Sequence, residues 1–231
     1  MASLSKHFRW PFYDTRHSFG DLRPEIEAAE ELFSDPTSGS TQPDRRELPN
    51  RATMGGGDTK FVPCTLQQLL SGDVPKNRPI HIFTEGVFDL FHYGHVRQLR
   101  QVKEAFPNVK VTAGVCSDEL VRKYKGGPLV MTYEERIASV MECQYVDNVI
   151  DHGMFYPTIE LLDRLEADLI AHDDIPYQCP DSDDCYKPFK DVDRFLTTER
   201  TQNISTTNLI QRIIDRCDMF RERNNNREKY G

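Results

Sequence analysis

The sequence predicts an α/β fold, a parallel sheet with helices on both faces. Two observations carry this expectation. From Arg78 onward, short apolar runs alternate with helical patterns, as expected of parallel strands joined by crossover helices. The polar motifs also fall where the strands end, which is where such folds bind ligands.

The elements follow in order. Ile80–Thr84 is a short strand, followed by a loop and a helix from about Tyr93 to Ala105. Val109–Val115 is a second strand and Ser117–Tyr124 a second helix. Thr132–Cys143 is a third helix, with Thr132 as N-cap and Glu135 three residues on, the spacing of a capping box. Asn148–Ile150, Thr158–Leu165 and Asp168–Ala171 continue as strand, helix and strand. Ser205–Cys217 closes the domain as an amphipathic helix, its apolar side made by Ile204, Leu209, Ile213 and Ile214.

Three regions result. Residues 1–75 form an N-terminal extension whose Ser, Pro, Gly and charge content is that of a flexible linker, with one short acidic helix expected at Pro24–Phe33. Residues 76–215 form the α/β domain and 216–231 a short helical tail. No apolar run approaches the roughly 18 residues of a membrane span, and the N-terminus has no apolar h-region of a secretory signal. The formal net charge of -8 argues against broad binding to nucleic acid or anionic membranes, but leaves room for a local cationic pocket.

Six cysteines without a C-x-x-C pair indicate reduced thiols and a cytoplasmic setting, with the nucleus as a second compartment. Cys179 and Cys185 flank PDSDD near His172, but the spacing fits no common structural zinc pattern. In such a compartment Asn203-Ile204-Ser205 is a chance match to a glycosylation signal.

The chemistry concentrates at four strand ends or helix starts. Glu85-Gly86-Val87-Phe88-Asp89 runs into His92-Tyr93-Gly94-His95, which puts two imidazoles about one turn apart at a helix N-terminus, where N–H groups favour anions. A lone histidine would more often be a satisfied core residue. The HxGH spacing after GxFD favours phosphate chemistry, with Gly94 leaving room for close approach. Lys125 precedes a Gly-Gly turn and serves as a mobile point charge over a polyphosphate. His172, Asp173 and Tyr177 follow the fourth strand. They form either a solvated turn or a cation pocket with Tyr186 and Phe155 as aromatic walls, suited to a quaternary ammonium. Arg200 to Thr207 precedes the last helix, where Ser205 is either a plain N-cap or part of a second anion site. Two anion-binding helix starts suit a triphosphate better than a monophosphate.

In order along the chain, GVFDLFHYGH, AGVCSDEL, RKYKG, YEER, YVDNVI, AHDDIPY and RTQNISTT closely resemble the catalytic domain of the choline-phosphate cytidylyltransferases, from about Arg78 to Tyr230. The resemblance implies a Rossmann-like nucleotidyltransferase fold and the reaction CTP + phosphocholine → CDP-choline + pyrophosphate, with Mg²⁺ and a homodimeric enzyme. It implies that His92 and His95 stabilise the transferring phosphoryl group, that Lys125 bridges the reacting phosphates, and that Arg200 assists catalysis. Val87, Phe88, Arg200, Thr201 and Ile204 would seat CTP, with Ser205 and Thr206 on its β- and γ-phosphates. Asp89, Lys125, Phe155, His172, Asp173, Tyr177 and Tyr186 would form the phosphocholine side.

Three local departures accompany it. Phe155 stands where the family carries a tryptophan, Asn203 stands where it carries glycine, and Gly126–Met131 holds an extra residue. Asn203 suits a backbone that needs positive φ. No membrane-binding helix is expected in this chain. A cytidylyltransferase for phosphoethanolamine or glycerol 3-phosphate is the alternative enzyme, and a non-catalytic nucleotide-binding protein is the alternative class.

Overall fold

A computed structural model describes residues 61–180 and 182–230. The acidic helix expected at Pro24–Phe33 lies outside the described residues, as does most of the N-terminal extension. The elements are α1 (Leu66–Leu70), β1 (Ile80–Gly86), α2 (Tyr93–Lys103), β2 (Val109–Val115), α3 (Asp118–Tyr124), α4 (Tyr133–Met141), β3 (Asn148–Ile150), α5 (Ile159–Arg164), β4 (Leu169–Asp173), α6 (Lys187–Asp191), β5 (Phe195–Thr198), α7 (Thr206–Ile214) and α8 (Cys217–Tyr230). The strands form one five-stranded parallel sheet in the order β3-β2-β1-β4-β5. This is the Rossmann-like α/β architecture.

The pleat sorts β1 between two cores. Ile80 and Ile82 face one side with Val109, Val111, Val102 and Leu169, while Phe83 faces the other with Leu161, Leu162, Phe189 and Phe195. A parallel sheet covered on both faces needs such near-continuous apolar strands. Further along β2, Ala113 and Val115 pack with Leu99 of α2, Val140 of α4 and Phe88 from the loop after β1.

Caps fix several helix starts. Thr132 and Glu135 form the expected capping box, and Ser117 and Thr158 accept N–H bonds from Leu120 and Leu161. The structure differs from expectation at short elements. β5 and the five-residue α6 are additional, β4 runs on to Asp173, and the helix expected over Ser205–Cys217 ends at Ile214, with the tail helical from Cys217 to Tyr230. Among the described residues, no helix is long and apolar enough to cross a membrane.

The last part of the expected extension is built into the domain. Thr65 and Gln68 cap α1, and Leu69 is buried against Ile80 and Val102. Asp168, fully buried, ties this segment to the sheet. Its carboxylate takes both terminal nitrogens of Arg78 at 2.6 and 2.7 Å and the backbone N–H groups of Cys64 and His81. Burial alone would raise its pKa, but the Arg78 guanidinium and the two amides outweigh burial and hold it below the ordinary value.

Asp168→Ala is expected to cost about 3 kcal/mol in denaturant unfolding, because it leaves these donors unpaired. Because the folded pKa is depressed, the contribution of Asp168 is complete above the unfolded value near 3.8 and fades as pH falls through the folded value. Asp168→Asn should therefore flatten the acid limb of the stability profile below about pH 4. An unchanged limb would refute the assignment.

Candidate active site

The loop after β1 is locally strained. Phe88 and Leu90 adopt φ of 54° and 48°, a region that costs non-glycine residues about 1 kcal/mol or more. Asp89, between them, holds the turn. Its carboxylate accepts N–H bonds from Leu90, Val130 and Met131 at 2.9–3.1 Å, and its carbonyl accepts the Thr206 hydroxyl at 2.8 Å. Asp89 is 3% exposed and lines neither cavity described below. Asp89 is therefore not brought to either cavity with the other expected residues; its oxygens tie three chain segments together.

That turn delivers His92 and His95 to the start of α2. Gly94 N–H donates to His92 Nδ1 at 3.1 Å, and His92 N–H donates to His95 Nδ1 at 3.3 Å. With Nδ1 accepting in both rings, each neutral imidazole carries its proton on Nε2. The rings stack 3.8 Å apart, with Phe91 stacked on the far side of His95 and Phe88 against its edge. Burial, then the neighbouring His92 and Lys125, lowers the His95 pKa to about 3, and burial lowers His92 as well. Both rings are therefore uncharged donors near neutral pH. His92 Nε2 is buried and has no hydrogen-bond partner among the described residues.

Gly94 lines the cavity described below, and packing against His92 gives it a second reason. A Cβ there would lie 2.9 Å from the His92 ring and 3.3 Å from Ile204, so glycine makes room for the histidine itself.

One cavity collects most of the expected residues. Val87, Phe88, His92, His95, Lys125, His172, Asp173, Tyr177, Arg200, Thr201, Ile204, Ser205 and Thr206 all line it. Lys125 is the exposed C-cap of α3. Arg200 Nε lies 3.6 Å from Asp173 Oδ2. Asn203 has φ of 61°, as its replacement of glycine suggests, and Arg212 donates to its carbonyl. Ser205 caps α7 by accepting Asn208 N–H, so α7 presents a second helix start to the cavity.

An adjoining cavity shares Val87, Lys125, His172 and Tyr177 and adds Phe155 and Tyr186. The His172 ring stacks on Tyr186 at 4.7 Å, with Tyr177 edge-on at 5.0 Å. Phe155 stacks on Tyr124 at 5.1 Å and meets Tyr156 edge-on. Glu85 lines both cavities and accepts the Tyr186 hydroxyl.

Sequence reasoning missed Glu85, Thr207, Tyr124 and Tyr156 as lining residues. Tyr124 is adjacent to Lys125 and Tyr156 to Phe155, a proximity that could have flagged them. It also missed Arg136, which is buried and donates to Val87 O, Cys116 O and Asp118. Arg136 thereby fixes the carboxyl ends of β1 and β2 beside the site.

The cytidylyltransferase-like family profile matches residues 83–212. The chain is 47% identical over 150 residues to choline-phosphate cytidylyltransferase of Saccharomyces cerevisiae, covering 65% of this chain and 35% of that one. It is 43% identical over 164 residues to choline-phosphate cytidylyltransferase A of Mus musculus, covering 71% and 44%. It is 36% identical over 137 residues to ethanolamine-phosphate cytidylyltransferase of Dictyostelium discoideum, covering 59% and 37%. The chain thus spans less than half the length of each of these relatives.

The geometry predicts that His95 stays neutral, with its proton on Nε2, throughout pH 5–8. Nitrogen NMR of labelled histidines reads both properties, and a His95 that titrates near its ordinary value would refute the arrangement.

Proposed function

We propose that this chain, which belongs to the cytidylyltransferase-like family, transfers the cytidylyl group of CTP to phosphocholine, giving CDP-choline and pyrophosphate for phosphatidylcholine synthesis. The observation that carries the proposal is the pair of stacked, uncharged imidazoles at the start of α2. They face the same cavity as Lys125, Arg200 and the start of α7.

In this reading a phosphate oxygen of phosphocholine attacks the α-phosphorus of CTP. The bond to the bridging oxygen breaks, and pyrophosphate leaves with that electron pair. No covalent enzyme intermediate is needed, so the protein supplies position and charge stabilisation. The Nε2–H groups of His92 and His95 donate to the phosphoryl oxygens. Lys125 lies between the two cavities and spans the reacting phosphates. Val87, Phe88, Arg200, Thr201 and Ile204 seat the nucleotide, and Ser205 and Thr206 hold the outer phosphates at α7. The Thr206 hydroxyl already donates to Asp89 O, so its phosphate contact falls to its N–H.

The acceptor side rests on the second cavity. His172, Tyr177, Tyr186 and Phe155 supply aromatic walls for a quaternary ammonium, and Asp173 supplies negative charge. This aromatic lining supports choline over ethanolamine, whose ammonium prefers hydrogen-bond acceptors, and over glycerol, which carries no cation.

Mg²⁺ would come with the nucleotide, held by its phosphates, and would supply neutralisation of phosphate charge.

A homodimer is the assembly we propose. The groove bordered by Phe91, Met131, Ile213 and Phe220 supports it by offering apolar surface for a second copy. Six free cysteines support a reducing compartment, the cytoplasm with the nucleus beside it.

Pyrophosphate release from CTP with phosphocholine, phosphoethanolamine or glycerol 3-phosphate tests the acceptor. Phosphocholine should turn over fastest, and faster turnover of phosphoethanolamine would overturn the choice. His95→Ala should lower kcat at least about 10²-fold, the order expected for one lost charge-stabilising donor. Gly94→Ala should lower kcat with little loss of fold, because its methyl displaces the His92 ring. A full rate in either variant would remove the histidines from the mechanism.

A further inference from the structure

Behind the second cavity, three side chains from three neighbouring strand ends converge, and the transfer reaction gives them no task. Glu85 belongs to β1, Cys116 follows β2 and His152 follows β3. The Cys116 sulfur lies 3.7 Å from Glu85 Oε2 and 4.0 Å from His152 Nε2, and one ligand atom from each residue lies within 4.8 Å of the others. All three residues are buried.

The imidazole is poorly satisfied for so buried a ring. His152 is 4% exposed, its Nδ1 has no hydrogen-bond partner among the described residues, and its Nε2 meets only the sulfur at 4.0 Å. Buried polar groups without good partners are uncommon and call for an explanation. Space for the ring comes from Gly114, where a Cβ would sit 2.7 Å from His152 Nδ1.

We propose that Glu85, Cys116 and His152 form a site for a borderline-soft divalent cation of the zinc class. Thiolate, imidazole and carboxylate are the donors such ions take. In a tetrahedral zinc site, ligand atoms lie about 3.3–3.7 Å apart, so the two sulfur contacts at 3.7 and 4.0 Å already approach that spacing, and the Glu85 and His152 ligand atoms close onto the ion from within 4.8 Å of each other. Sulfur and nitrogen ligands select against Mg²⁺.

Glu85 and Cys116 both line the second cavity, which gives the ion an entry path and leaves the fourth position to water or an anion. On binding, the Cys116 S–H bond breaks, its proton passes to solvent and a metal–sulfur bond forms, with no change of oxidation state. Burial first, and then the Glu85 carboxylate, holds the free thiol protonated. Affinity should therefore rise with pH.

The test needs no turnover. The full chain, stripped with chelator, is titrated with Co²⁺ or Cd²⁺ while thiolate charge-transfer absorption and proton release are followed. The expected result is one equivalent bound, with the sulfur band and one proton released. Cys116→Ser should lose the band, and His152→Asn should weaken binding at least about 100-fold, as for a lost ligand. Cys179→Ser should leave both intact. No sulfur band in the wild-type protein at one equivalent, or an undiminished band in both variants, would overturn the site and leave a hydrogen-bonded core cluster. If a variant loses its cooperative melt, alkylation mapping of the wild-type protein decides. One equivalent of Cd²⁺ should shield Cys116 from alkylation after mild unfolding, and equal labelling with and without the metal would sink the proposal.

Discussion

The Asp89 carboxylate accepts main-chain N–H groups from its own turn and from Val130–Met131, while its carbonyl holds the hydroxyl of Thr206 at the start of α7. Those bonds offset the left-handed backbone at Phe88 and Leu90, and that backbone in turn aims the Phe88 ring at His95. Arg136 complements the knot from below by fixing Val87 O and Cys116 O. The two imidazoles therefore stand on a base held by buried charge-assisted hydrogen bonds, rather than on a mobile loop.

The same economy shapes the electrostatics. The two histidines are kept neutral by burial, each with one nitrogen committed to a backbone amide. Cationic charge in the cavity comes instead from the long, exposed side chains of Lys125 and Arg200. Fixed donors and movable charges are thus divided between different residues. That division suits a reaction in which charge shifts along a row of phosphates.

Local pattern made much of this legible. The strand at Val109–Val115, the strand at Asn148–Ile150 and the Thr132–Glu135 capping box stand where periodicity and capping chemistry put them. The HxGH pair, Lys125 and the Arg200–Thr206 run meet in one cavity as their spacing at strand and helix ends suggests. Phe195–Thr198 was harder to see, since four residues between charged neighbours form a strand only because β4 offers a free edge. The helix at Leu66–Leu70 is only one residue longer and is held by tertiary bonds such as Leu66 N–H to Asp193 O. Asp89 marks the sharper limit. A carboxylate in a polar motif looks like a ligand-binding group, and nothing local reveals that its oxygens accept from Val130 and Met131.

The hydrogen bond from Thr206 to Asp89 O also sets a length. Both helix starts that face the cavity hang from the same residue, one through its carbonyl and one through the turn it stabilises, so the gap between them cannot widen or narrow freely. A fixed gap between two anion-binding ends acts as a caliper. In the proposed reaction a chain of phosphates reaching from one jaw to the other would be gripped at both ends and a shorter one at a single end. Selection by phosphate count would then be a matter of span, separate from any recognition of the base.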